Sequence, residues 1–246
     1  MIAARWLLLG CLLWQLPAVQ ARPLLALVID DLGNDLAAGQ AVLALPGQLT
    51  FSFLPGTPHA RGLSRAAFAS GRESMLHLPM GPLGIAADSS AARIHGTLNQ
   101  ALHAVPFAAG VNNHMGSRLT REPRPMQWLM ESLRLHGGLY FVDSRTHPDT
   151  VAEFTAREIG IPTTRRDVFL DNQRNEAAIR RQFRELLTRA REQGAALGIA
   201  HPYPETLRVL RSELATLDAA GVELVPVSQF IDWQRRQRQW HASSSP

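Results

Sequence analysis

Leu24-Leu25-Ala26-Leu27-Val28-Ile29-Asp30-Asp31-Leu32-Gly33-Asn34-Asp35 is an apolar run that ends on two adjacent carboxylates and a turn. Its unbroken aliphatic part reads as a parallel strand buried on both faces, and Gly33 with Asn34 supplies the stop. Folds built from such strands keep their chemistry at the carboxyl ends, which is where Asp30 and Asp31 fall. Successive side chains of a strand point to opposite faces, so the two aspartates share a task only if Asp31 already lies in the bend. One carboxylate would then hold a metal while the other moves protons. The competing reading is that Asp-Asp before Leu-Gly-Asn is turn chemistry alone.

The rest of the chain repeats this pattern. Short apolar runs at 49–54, 74–78, 109–114, 139–142, 167–171, 195–200 and 222–227 read as further strands. Between them, helical spacing predicts helices near 35–45, 60–70, 96–104, 125–136, 150–159, 176–193 and 205–219, with 82–95 as a loop. The alternation predicts an α/β protein, a single (β/α) barrel of seven to eight mostly parallel strands. A doubly wound open sheet is the alternative, and its dinucleotide-binding version lacks the glycine-rich fingerprint after the first strand. With 246 residues, 46% of them apolar, and no long Pro, Gly or Ser linker, one domain over residues 22–232 is expected. Residues 233–246 read as a polar, frayed C-terminal tail.

Residues 1–21 carry one early Arg5, an apolar stretch around Trp6-Leu7-Leu8-Leu9, and the small-residue ending Pro17-Ala18-Val19-Gln20-Ala21. This predicts a secretory signal peptide cleaved after Ala21 and a periplasmic product with no membrane span. An uncleaved anchor is one alternative. Lipidation at Cys11, the only cysteine, within Leu8-Leu9-Gly10-Cys11 is another. All 25 basic residues are arginine, so Schiff-base and P-loop chemistry are excluded. Arginines 165, 166, 180, 181, 184, 189 and 191 cluster, but Glu185 and Glu192 interleave them and no stacking aromatics accompany them. A solvated helix face is the expectation there, and no nucleic-acid partner.

Five strand runs stop at a residue able to bind metal or move a proton: Asp31, His77, His114, Asp143 and His201. On the rim of a parallel barrel such residues become neighbours. A divalent ion needs about three protein ligands and an open position, which Asp31, His77 and His114 would supply. Taken alone, His77 also reads as a buried histidine bonded to a carbonyl, and His201, before Pro202-Tyr203-Pro204, as a helix-entry turn. The other histidines fall in loops, on helix faces or in the tail.

These stretches resemble the divergent polysaccharide deacetylase family of bacterial envelope proteins, distant relatives of the nodulation-type deacetylases. The resemblance rests on Leu27-Val28-Ile29-Asp30-Asp31-Leu32-Gly33, Phe51-Ser52-Phe53-Leu54-Pro55, Met75-Leu76-His77-Leu78-Pro79-Met80, Gly110-Val111-Asn112-Asn113-His114-Met115-Gly116-Ser117, Phe141-Val142-Asp143-Ser144-Arg145-Thr146, Asp167-Val168-Phe169-Leu170-Asp171-Asn172 and His201-Pro202-Tyr203-Pro204-Glu205-Thr206. It implies a distorted (β/α) barrel and a metal-dependent hydrolase that removes N- or O-acetyl groups from an envelope glycan. It implies Asp30 as base, Asp31 as ligand of a divalent metal, zinc foremost, and His201 as general acid. Asp143 or Asp171 would orient the His201 ring. Arg145 would hold a substrate carboxylate or the developing oxyanion, and Asn113, Asp171 and Tyr203 would also face substrate. The wider superfamily has a second metal histidine four residues after the first, where this chain has Gly81; His114 is the expected substitute. A catalytically silent barrel that binds glycan or an envelope partner, and a metal phosphoesterase, are the rival readings.

Overall fold

The computed structural model describes residues 22–82 and 84–244; the expected leader over 1–21 lies outside them. In chain order the strands are β1 (Leu24–Leu32), β2 (Thr50–Phe53), β3 (Glu73–Met80), β4 (Ala108–Met115), β5 (Tyr140–Asp143), β6 (Thr163–Arg165), β7 (Val168–Phe169), β8 (Ala195–Ala200) and β9 (Glu223–Leu224). The helices are α1 (Leu36–Leu43), α2 (Ala60–Ala69), α3 (Ala91–Ala104), α4 (Pro123–His136), α5 (Ala152–Glu158), α6 (Glu176–Gln193), α7 (Pro204–Leu214) and α8 (Val227–Ser244). All strand pairs are parallel, in the order β6-β5-β4-β3-β2-β1-β8-β7, with β9 beside the start of β1.

The two ends of that order are consecutive in the chain. Residues 163–169 run as one extended segment whose first half pairs with β5 and whose second half pairs with β8. The crossover is visible in adjacent amides: Arg166 donates to the Asp143 carbonyl at 3.0 Å, and Asp167 donates to the Leu197 carbonyl at 2.9 Å. A single segment thus draws the sheet into a curled, distorted barrel. The strand expected at 167–171 is reduced to Val168–Phe169, and Thr163–Arg165 is an additional strand that was not expected, because the segment changes partners midway.

Strand parity divides the apolar residues into two layers. Leu25, Leu27, Ile29, Phe51, Phe53, Leu76, Leu78, Val111 and Phe141 face the surrounding helices. Leu24, Ala26, Val28, Met75, Val142, Leu197 and Ile199 fill the barrel interior together with Val225, Val227, Phe230 and Ile231. The last four belong to the entry and first turns of α8, which close the amino-terminal end. There Glu73 Oε1 accepts from the Thr50 hydroxyl at 2.9 Å, the Tyr140 hydroxyl at 2.9 Å and the Ser228 amide at 3.2 Å. With its base sealed by a helix and a carboxylate clamp, the interior opens only toward the carboxyl ends of the strands.

Three expectations are corrected. Helix α3 begins at Ala91 rather than near 96, because the Ser90 hydroxyl caps the Arg93 amide. The last strand is only Glu223–Leu224, since the residues after it turn into α8. The polar segment from 233 is the continuation of α8 to Ser244 rather than a frayed tail, anchored by the buried Phe230 and Ile231. Among the described residues no helix is long and apolar enough to cross a membrane.

Candidate metal centre and active site

The interior face of β1 continues the series Leu24, Ala26, Val28 into Asp30, which is buried. Asp31 would point outward in a regular strand. Its φ of +59° and the register slip between Ile29 and Leu32 turn its carboxylate back over the barrel mouth. Left-handed non-glycine backbone also occurs at Met115 (φ +55°) and Arg145 (φ +48°), at the ends of β4 and β5. Such strain persists where surrounding structure enforces it and collects at functional sites.

Parallel register sets the next residues side by side: His77 on β3 pairs with Asn112 on β4, and His114 follows two residues later on the same face. Asn112 organises the group. Its Nδ2 donates to Asp30 Oδ1 at 2.8 Å, so its Oδ1 is turned to accept from the Ser52 hydroxyl at 2.7 Å and from His77 Nδ1 at 2.7 Å. The proton of the His77 ring is thereby placed on Nδ1, leaving a bare Nε2. A metal-ligating histidine is oriented by such a bond from its far nitrogen.

That bare Nε2 lies 3.2 Å from Asp31 Oδ1 and 3.1 Å from His114 Nδ1, and His114 Nδ1 lies 3.0 Å from Asp31 Oδ1. Neither ring nitrogen is aligned to hydrogen-bond Asp31 Oδ1, which is buried without a donor. His114 Nδ1 and His77 Nε2 are within hydrogen-bond distance of each other, and with Asp31 Oδ1 they form a group of three ligand atoms that could hold a cation. Tetrahedral ligands at zinc distances are spaced about 3.3 Å apart, close to the spacing here. Burial opposes charge on Asp31, yet the His114 and His77 imidazoles hold its pKa far below the usual carboxylate range. Burial likewise opposes charge on His77, and Asp30 and then Asp31 raise its pKa above the ordinary imidazole value.

His201 follows β8 and faces the same centre, with Nε2 3.7 Å from Asp31 Oδ2. Its Nδ1 bonds Asp171 Oδ1 at 2.9 Å, while Asp171 Oδ2 accepts from the His201 amide at 2.6 Å and the Thr206 hydroxyl at 2.8 Å. Burial opposes protonation of His201, and Asp171, joined by Asp30 and Asp31, outweighs it and raises the pKa. Of the two carboxylates expected to orient this ring, the partner is Asp171. Asp143 instead accepts from the Arg145 amide, the Thr150 hydroxyl and the Glu153 amide. Both of its oxygens serve the loop after β5, and it is not the carboxylate bonded to His201.

Residues 27–231 match the divergent polysaccharide deacetylase family. The chain belongs to that family. As a divergent polysaccharide deacetylase it is 38% identical over 216 residues to the uncharacterized protein YibQ of Escherichia coli (strain K12), covering 85% of this chain and 67% of that one. The crystal structure of uncharacterized protein ATU2773 from Agrobacterium tumefaciens C58 superposes with a TM-score of 0.82 at 24% identity, over 87% of this chain and 91% of that one. BA3943, a CE4 family pseudoenzyme from Bacillus anthracis, shares the fold with a TM-score of 0.52 at 12% identity, over 85% of this chain and 66% of that one.

In this family member, parity also decides which asparagine matters. Asn112 shares the face of His114, whereas Asn113 points the other way, its Oδ1 accepting from the Ser144 amide at 2.8 Å and its Nδ2 donating to the Met115 carbonyl at 2.9 Å. With both ends of its amide spent on backbone, Asn113 shapes the rim rather than facing substrate. Asp171 is likewise enclosed, its side chain 0% exposed, with one oxygen bonded to His201 Nδ1. Tyr203 stands at the rim, its ring stacked 5.5 Å from that of His201 and its hydroxyl accepting from Arg174 at 2.7 Å. Asn112, Ser52 and Thr206 were not among the expected site residues. Alternation from His114 back to Asn112 was the available signal for the first of them.

Proposed function

We propose that this deacetylase-family barrel is a metal-dependent hydrolase that removes acetyl groups from an envelope carbohydrate in the periplasm. The observation that carries the proposal is the convergence of two sets on one point: the Asp31, His77 and His114 donors with Asp30 beneath them, and the Asp171-held His201 across from them. A divalent ion, zinc by its mixed imidazole and carboxylate donors, would supply Lewis acidity toward the acetyl carbonyl and lower the pKa of water. Asp30, held by Asn112, accepts the proton of the attacking water. His201 delivers a proton from Nε2 to the departing amine or alkoxide, while Asp171 fixes the opposite nitrogen. Arg145 and Tyr203, at the rim, contact the sugar.

Metal analysis and acetate release from acetylated glycans test this. The purified protein should carry about one divalent ion per chain, and His114→Ala should lose it. Asp30→Asn should keep the ion and lose acetate release. A protein without a stoichiometric ion, or release that persists in Asp30→Asn, would remove the mechanism. A second reading, a silent barrel that binds glycan, is favoured by Gly81 standing where the superfamily has its second histidine and by a pseudoenzyme sharing the fold. Glycan and metal binding without acetate release would select it.

A further inference from the structure

A cavity of about 630 Å³ lies between the ends of β5 and β7 and one face of α6, and one of its lining residues, Phe169, packs against the His201 ring. Arg145, Arg166, Arg181 and Arg189 line it, against the carboxylates Asp167 and Glu185. Both acids are already engaged: Asp167 accepts from the Leu197 amide at 2.8 Å, and Glu185 from Arg189 Nε at 2.7 Å. Among the described residues, the side chains of Arg145 and Arg181 make no hydrogen bond or salt bridge. The lining thus carries more positive charge than it neutralises.

The loop that presents Arg145 is held from both sides. Its amide donates to Asp143 Oδ1 at 2.8 Å, its carbonyl accepts from Arg166 Nη2 at 2.9 Å, and Arg166 Nε donates to the Ser144 carbonyl at 2.7 Å. These bonds enforce the left-handed backbone of Arg145 and leave its guanidinium free to meet a ligand. Arg166 also lies over the Phe169 ring, 5.2 Å from its centroid, and that ring lies 5.2 Å from the ring of His201. A fixed guanidinium is therefore one aromatic ring away from the proposed general acid. Arginine's planar fork matches the geometry of a carboxylate or a phosphate. A neutral sugar would leave the excess positive charge of the lining, four arginines against Asp167 and Glu185, without a counterpart.

We infer that the substrate is an acidic glycan, whose carboxylate or phosphate seats against Arg145 and Arg166 in this cavity while its acetyl group reaches the Asp31, His77 and His114 centre. This names the substrate class for the deacetylase reading and rests on it.

Three acetylated tetrasaccharides of equal length test the inference, one neutral, one bearing carboxylates and one bearing phosphates, each titrated calorimetrically into wild type and Arg145→Gln with acetate release followed in parallel. Wild type should bind one acidic form about ten- to a hundredfold tighter than the neutral form. Arg145→Gln should bring that form down to the neutral affinity, and added salt should shrink the wild-type preference. The preferred arm identifies carboxylate or phosphate. Acetate release with equal affinity for all three glycans would overturn the subsite and leave the deacetylase reading standing. An Arg145-dependent preference without acetate release would support the subsite and remove the deacetylase reading. Equal weakening of all three glycans in Arg145→Gln would also overturn it.

Discussion

The Asn112 carboxamide donates to the buried Asp30 carboxylate at 2.8 Å, so a single side chain orients the proposed base while its oxygen bonds Nδ1 of His77, a proposed metal ligand. Asn112→Ala should leave Asp30, His77 and Ser52 short of partners inside the barrel. We expect a loss of about 2–4 kcal/mol in urea unfolding of the metal-free protein. Metal affinity should fall by about ten- to a hundredfold in a competition titration, as expected when a ligand loses its orienting partner. A variant with unchanged metal affinity would show that the amide does not orient His77.

Asp171 acts through His201. In Asp171→Asn one carbonyl oxygen must replace two carboxylate oxygens that serve the His201 ring, the His201 amide and Thr206. Acetate release should fall by at least about a hundredfold in kcat, with KM and metal content near wild type. A fall in metal content alongside kcat would assign Asp171 a structural role instead.

Asp167 tests the pH dependence of the closing segment. Burial raises its pKa above the ordinary 3.8. A carboxyl that holds its proton more tightly when folded stabilises the protein fully below 3.8 and loses that contribution as pH rises through the folded value. Asp167→Asn keeps an acceptor for the Leu197 amide and has no proton to lose. Its stability should therefore improve relative to wild type between about pH 4 and about pH 7, read from urea midpoints at both values. Parallel pH profiles would contradict the shift.

Gly110 sits on β4 beneath the ring of Tyr140, where an added Cβ would overlap ring atoms. Gly110→Ala should cost about 1–3 kcal/mol through overpacking and disturb the Tyr140 bond to Glu73 at the base of the barrel. Guanidinium unfolding measures the first effect. Combining the change with Tyr140→Leu, which removes the clashing ring edge, should recover part of the loss.

Much of this was legible in the chain itself. Helix α6 occupies Glu176–Gln193 and β8 occupies Ala195–Ala200, as their spacing predicts, because helical and strand periodicity are set within a segment. The gathering of Asp31, His77, His114 and His201 was legible too, since each ends a run and parallel strands bring their ends to one rim. Strand alternation sets Asn112, and not Asn113, on the face of His77 and His114. Which carboxylate meets His201 was not legible, because it depends on strand order: β7, which leads to Asp171, lies beside β8, whereas β5, which carries Asp143, does not.

By itself the sequence determined an alternating α/β chain, the order of its elements and the residues at the strand ends, because those follow from side-chain polarity and local backbone geometry. Only the tertiary structure decided that residues 163–169 close the barrel by changing partners, that Asp31 turns back over its mouth, and that α8 seals its base. Each of these depends on register and curl between strands distant in the chain, and no single segment encodes them. The spacing of about 3 Å among the Asp31, His77 and His114 donors has the same origin: two register relations and one left-handed residue place atoms that the chain separates by dozens of positions.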